Sequence, residues 1–391
     1  MAISNTYKAG KHFLQVPGPT NIPDRILRAM DAPTIDHRGP KFAALSKSVL
    51  ERIKLIFKST DPVVIYPSSG TGAMEASLVN TLNEGDKIIM FETGEFARLW
   101  RETAERFKIN VDYVSGDWRT GADPKIVKEK LLADKKNEIK AVLVTHNETS
   151  TGIKSRVEEI RKAIDEANHP ALYMVDTISS LGSYNYEHQK WKVDVTVACS
   201  QKGLMLPPGM SFNAISNKAL EAYKNSKMPK SYFDWGQMLE NNKSGFYPYT
   251  PATNLFYGLN EAINMLLEEG LDNVFARHKR LADATRLTVE AWGLEILAKN
   301  PIERSDSITA IMVPDGHDSD HLRKIIYDNY NMSLGTGLNK VKSKVFRIGH
   351  LGDLNDLSLM GALAGVEMGL KQSGIPYKSG GIMAAIDFLS S

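Results

Sequence analysis

Val63-Val64-Ile65-Tyr66-Pro67-Ser68-Ser69-Gly70-Thr71-Gly72 is the stretch that decides how the rest of the chain reads. Four bulky apolar residues follow one another without a polar alternate, the pattern of a strand covered on both faces. Pro67 ends the run, the small residues turn the chain, and 73–82 reads as a helix. Strand, small-residue loop and helix together open a βαβ unit. The pattern continues outward, with strands at 87–91, 111–114, 141–145, 171–175 and 193–198, a helix at 95–107, and helical segments between most of the others. Continuous strands separated by helices predict an α/β fold with a mostly parallel central sheet, helices on both faces and right-handed crossovers.

The alternation stops at 225–251, where Pro229, Gly245, Pro248 and Pro251 with several aromatics predict loop. A helix is expected at 255–269, then strands at 294–297, 308–313 and 344–348 with helices at 320–329 and 357–370. This second half predicts a smaller α+β domain. The expected organisation is a segment 1–19, a large domain 20–255 and a small C-terminal domain 256–391.

Composition narrows the class. Of 391 residues, 42% are hydrophobic and 24% charged, which excludes disorder and disulfide miniproteins. A net charge of +2, with no block of like charge, leaves no electrostatic footprint for nucleic acid or a membrane surface. The one cysteine, Cys199, allows no internal disulfide and no cysteine-rich metal site. Residues 1–11 lack the apolar core of a signal peptide, and no run of about 18 apolar residues exists. A soluble cytoplasmic protein is the expectation.

In open α/β sheets ligands bind beyond the carboxyl ends of the strands. Three features lie there, and a fourth sits within a later strand. Ser69, Gly70 and Thr71 open a helix, where backbone N–H groups and hydroxyls suit a phosphate; a plain turn with a helix cap is the other reading. Asp176 ends the run 171–175, placed either to face a cationic ring nitrogen or to cap the next turn. Lys202 follows the strand 193–198, where desolvation would free its amine for imine chemistry, although most lysines are only solvated. Arg347, inside the apolar run 344–348, can fork a carboxylate or serve an internal salt bridge. Together the four suit one cofactor, pyridoxal 5′-phosphate: its phosphate needs a cradle, its ring nitrogen an acid, and its aldehyde a lysine.

On these residues the chain resembles the class V, fold-type I aminotransferases, and within them the alanine/serine–glyoxylate family. The match runs through Val16-Pro17-Gly18-Pro19-Thr20, Ser69-Gly70-Thr71-Gly72, Thr145-His146-Asn147-Glu148-Thr149-Ser150-Thr151-Gly152, Val175-Asp176, Ser180-Leu181-Gly182, Ser200-Gln201-Lys202-Gly203 and Phe346-Arg347-Ile348-Gly349, in order along nearly the whole chain. It is strongest to the serine–glyoxylate branch and its aspartate–glyoxylate neighbour, which also share 33–38 and 206–209.

The resemblance implies roles. Lys202 would join the cofactor and shuttle the substrate α-proton, and Asp176 would pair with the ring nitrogen. Ser69, Gly70, Thr71 and Gln201 would surround the phosphate. Phe96 would stack on the ring where many relatives carry tryptophan, Thr149 would approach the ring hydroxyl, and Ile178 would cover the other face. Tyr247 and Thr250 would reach the phosphate of a neighbouring subunit, so the working unit would be a homodimer. Arg347 would bind the substrate carboxylate beside Gly18. Transfer from serine, then aspartate or alanine, to glyoxylate is the expected reaction. Basic residues for an aspartate side chain would come from His37, Arg38 or Arg98. A cysteine desulfurase needs a mobile nucleophilic cysteine, which Cys199, three residues before Lys202 in a strand, does not suit. A non-enzymatic phosphate-binding α/β protein is the distant alternative.

Overall fold

The computed structural model describes residues 9–391, so the expectation for the first eight residues lies outside the described range. The strand Val63–Tyr66 is buried at every position, as its unbroken apolar run requires. It sits at one edge of a seven-stranded sheet, followed across the sheet by Ser211–Ile215, Val195–Cys199, Leu172–Asp176, Ile139–Thr145, Lys87–Phe91 and Asn110–Val114. Four neighbouring pairs are parallel. Ser211–Ile215 is antiparallel to both its neighbours.

That antiparallel strand is a correction. Its buried Ser211 and Asn213 hide it from a hydrophobic reading. The polar groups are satisfied: the Ser68 and Ser211 hydroxyls share a 2.7 Å bond, and Asn213 Nδ2 donates to the Ala73 carbonyl at 3.2 Å. A second correction falls in the expected loop 225–251, which contains the helix Trp235–Asn242. Asp234 starts this helix by accepting from the Gln237 N–H at 3.1 Å, and Trp235 is fully buried. The N-terminal segment 1–19 also holds a strand, Phe13–Gln15, parallel to Met332–Thr336.

A five-stranded sheet joins Phe13–Gln15, Met332–Thr336, Val345–Gly349, Ile308–Met312 and Glu295–Ile296. The helices Ser319–Tyr330, Asp356–Ser373 and Ile382–Ser390 supply much of its apolar cover, including Leu322, Ile326, Leu363, Val366 and Ala385. Thr253–Glu269 packs with the larger core through Phe256, Leu259, Ile263 and Leu266. Among the described residues no helix is long and apolar enough to cross a membrane.

Candidate active site

Three strand ends of the large sheet converge. Asp176 closes Leu172–Asp176, in register between Thr145 on one neighbour and Val197 on the other. Lys202 lies three residues beyond Val195–Cys199. Asp176 is 2% exposed and Lys202 7%. Burial moves each toward its neutral form. It raises the Asp176 carboxyl to about 7, helped by the nearby Glu148, and lowers the Lys202 amine to about 8, helped by Arg347. Asp176 Oδ1 accepts from the Ile178 N–H at 2.8 Å. Lys202 Nζ donates to the Pro17 carbonyl.

Gly18 lies against that amine. A Cβ there would fall 2.5 Å from Lys202 Nζ, and its φ of +109° favours glycine besides. Thr20 anchors the chain beyond it, its N–H donating to the Gln201 carbonyl at 3.2 Å and its hydroxyl to the Lys202 carbonyl at 3.2 Å.

Arg347 reaches the same place from the smaller sheet. It is 6% exposed, and burial lowers its guanidinium to about 10 against the attraction of Glu148. Nε donates to the Thr336 carbonyl at 2.8 Å and Nη1 to the Thr149 carbonyl at 2.7 Å. No carboxylate neutralises it through these bonds; backbone carbonyls hold it in one orientation. The Thr149 hydroxyl donates to Ser179 Oγ at 2.7 Å. Asn147 Nδ2 donates to the Ser179 and Ser307 hydroxyls at 2.8 and 3.0 Å, which ties the segment to the smaller sheet. Sequence reasoning did not single out Asn147, Ser179 or Ser307, because a buried hydroxyl network has no periodic signal.

At the loop that opened the reading, Gly70 starts the helix Gly70–Thr81 and Ser69 precedes it without a side-chain cap bond. Ser69 and Thr71 are exposed. Gly70 is pressed on Ile178, whose Cγ1 would lie 2.9 Å from an added Cβ. Phe96 occupies the second position of the helix Glu95–Arg106, half-buried.

Other expected residues lie elsewhere. Tyr247 is 7% exposed, its ring packed edge-on to Phe42 and Phe256 in the core of its own chain, whereas Thr250 is exposed. Arg98 is spent on Glu95, 2.7 Å away, and on Glu102. Arg38 is exposed, with its backbone N–H on Asp36 Oδ1 at 2.9 Å, and His37 is half-buried. Cys199 is buried, and burial pushes its thiol up to about 12, so it offers no thiolate nucleophile.

The family model for aminotransferase class-V matches residues 12–348. The chain belongs to the class-V aminotransferases. Within this family it is 48% identical to the serine–glyoxylate aminotransferase of Methylorubrum extorquens, over 98% of this chain and 97% of the relative. It is 43% identical to the L-aspartate–glyoxylate aminotransferase of Paracoccus denitrificans, over 95% and 94% of the two chains. Its fold superposes on the crystal structure of pyridoxamine–pyruvate aminotransferase from Mesorhizobium loti with a TM-score of 0.92, at 24% identity, covering 98% of this chain and 99% of that one.

Class-V aminotransferases work with pyridoxal phosphate, and the residues present fit it. Two buried polar atoms beside the converging strand ends, Thr145 Oγ1 and Gln201 Oε1, have no hydrogen-bond partner in the protein. The first-turn N–H groups of Gly70–Thr81 and the exposed Ser69 and Thr71 hydroxyls supply an anion's donors. An acid, an amine and a guanidinium are gathered within one buried region.

Proposed function

We propose that this class-V aminotransferase moves the amino group of a small L-amino acid to glyoxylate, giving glycine and a 2-keto acid, with serine the favoured donor and aspartate next. The observation that carries the reading is the convergence of buried Lys202, Asp176 and Arg347, with Asp176 and Arg347 oriented by hydrogen bonds to the backbone and the Lys202 amine resting on the Pro17 carbonyl. The names of the relatives support glyoxylate as acceptor. Bound pyridoxal phosphate supplies an aldehyde for amines and a cationic ring that takes up electron density.

Around it this chain's residues divide the work. Ser69, Gly70, Thr71 and Gln201 hold the phosphate, with Thr250 of a second copy. Tyr247 of that copy shapes its arm from within the core. Asp176 keeps the proton on the ring nitrogen. Phe96 and Ile178 would contact the bound ring, and Thr149 would lie near its hydroxyl. Lys202 Nζ would take the α-proton from the donor and hold it for return, and burial that favours its neutral amine suits a general base. Arg347 orients the α-carboxylate common to every substrate, with the Gly18 backbone alongside. One site serving donor and acceptor in turn predicts ping-pong kinetics.

The engagement of Arg98 with Glu95 and Glu102 removes one partner for an aspartate side chain, which favours serine. Exposed Arg38 and half-buried His37 are the remaining candidates for aspartate. We read the chain as a segment 1–19, a cofactor domain 20–255 and a small domain 256–391, with Thr253–Glu269 as the packed link. We also read it as a homodimer in the cytoplasm.

The test is glycine formation from glyoxylate with serine, aspartate, alanine and glutamate in parallel. Serine should give the highest kcat/KM and glutamate the lowest. Equal rates with all four donors, or no glycine, would overturn the proposal.

A further inference from the structure

Glu148 is a carboxylate with no exposed surface, in the segment that also carries Thr149. Burial works to raise its pKa, and four hydrogen bonds oppose that. Oε1 accepts from the Ser150 N–H at 3.0 Å, the Ser150 hydroxyl at 2.7 Å and the Phe96 N–H at 3.3 Å. Oε2 accepts from the Ala97 N–H at 3.0 Å. The Ser150 hydroxyl in turn accepts from the Glu95 N–H at 2.9 Å. So the first three N–H groups of the helix Glu95–Arg106 end on Glu148 and Ser150, more than fifty residues away in sequence, while the N-cap Gly94 offers no side chain. Gly94 also makes the room: a Cβ there would lie 2.6 Å from Glu148 Cδ. The next residue along, Thr149, uses its carbonyl to hold Arg347.

We propose that Glu148 is a positioning residue that fixes two working parts from one point: the helix start that aims Phe96 at the cofactor ring, and the Thr149 carbonyl that aims Arg347 at the substrate carboxylate. The inference rests on the proposed function. A surface cap could satisfy the same helix N–H groups. What this arrangement adds is a covalent neighbour relation between the cap and the arginine's anchor, so that ring and carboxylate sites keep a fixed separation. The carboxylate strengthens both, because charge-assisted bonds are shorter and less tolerant of displacement than neutral ones.

The test compares Glu148→Gln with wild type in three measurements on the holoenzyme: cofactor dissociation by fluorescence titration, the circular-dichroism band of the bound cofactor, and kcat and KM for donor and glyoxylate. The amide turns a donor toward the Ala97 N–H. Expected results are cofactor binding weakened roughly tenfold, as loss of a charged hydrogen bond implies, a changed dichroic band, and KM for both substrates raised about tenfold with kcat within about threefold, the pattern of lost uniform binding. Gly94→Ala, which crowds the carboxylate from the helix side, should move the same readouts in the same direction. Asp318→Ala removes an ordinary cap, bonded to the Asp320 N–H at 2.8 Å on the helix Ser319–Tyr330; it should lower stability and leave all three readouts alone. If Glu148→Gln does not fold, Ser150→Ala carries the test with smaller shifts of the same sign. An unchanged band and dissociation constant, or changes no larger than those of Asp318→Ala, would overturn the inference while wild type remains active. A wild type that binds no cofactor would instead overturn the proposed function.

Discussion

Lys202 shows how a residue's position in the fold sets its chemistry. Burial lowers its pKa from 10.5 to about 8. An unfolded lysine holds its proton to about pH 10.4. Between these values the unfolded chain binds more protons than the folded one, so stability rises with pH there. At about 1.4 kcal/mol per unit, a buried amine charged below pH 8 costs about 3 kcal/mol, and most of that is recovered by pH 10. In protein stripped of cofactor, the stability of wild type relative to Lys202→Met should therefore climb by about 2–3 kcal/mol between pH 7 and pH 10. Urea unfolding of the two proteins at each pH measures it, and a difference flat with pH would refute the depressed amine. At this scale the sequence singles out Lys202, Asp176 and Arg347 only as a set, since each alone also reads as a solvated lysine, a turn cap or a salt-bridge arginine; all three are buried. The role of Glu148 is not legible in the sequence, since nothing local reveals that its partners are Phe96 and Ala97. Tyr247 packs its ring on Phe42 and Phe256 while its buried hydroxyl has no hydrogen-bond partner within the chain.

Among the elements, the strand–loop–helix reading at 63–82 held because its signal is a continuous apolar run, which the sheet reproduces residue for residue. Ser211–Ile215 was not legible because its pairing rests on polar side chains. Asn213 Oδ1 accepts from the Tyr66 hydroxyl at 3.1 Å, and that hydroxyl accepts from Trp235 Nε1 at 2.6 Å. One buried chain of bonds thus joins two strands of the sheet, Val63–Tyr66 and Ser211–Ile215, to the helix Trp235–Asn242. Tyr66→Phe removes the link and orphans a buried N–H and a buried amide oxygen. It should cost about 2 kcal/mol or more, seen as a lower urea midpoint with an unchanged m-value. The site is not touched, so kcat/KM should stay at the wild-type level. A Tyr66→Phe protein as stable as wild type would show that the network is ornamental and that apolar packing alone holds the antiparallel strand.

For the molecule as a whole, the seven-stranded and five-stranded sheets meet where Lys202, Asp176 and Arg347 gather, because Lys202 and Asp176 come from one and Arg347 from the other. The N-terminal strand Phe13–Gln15 belongs to the smaller sheet, yet two residues later the Pro17 carbonyl touches Lys202. Exposed Ser69, Thr71 and Thr250 lie on the outside of one chain, as a site completed by a second copy would require. That arrangement can be tested by mixing. Lys202→Ala subunits lack the amine but keep Thr250; Thr250→Glu subunits keep the amine but would present a like charge to the neighbour's phosphate. Each homodimer should be inactive. After joint unfolding and refolding in equal amounts, about half the dimers are mixed, and each mixed dimer holds one site with both an intact lysine and an intact Thr250. The mixture should recover about a quarter of wild-type activity, with unchanged KM. If Thr250 instead served the site of its own chain, every site in the mixture would carry one defect and no activity would return. Recovery therefore decides whether one chain or two make the working site, a question that the composition of a single chain could not address.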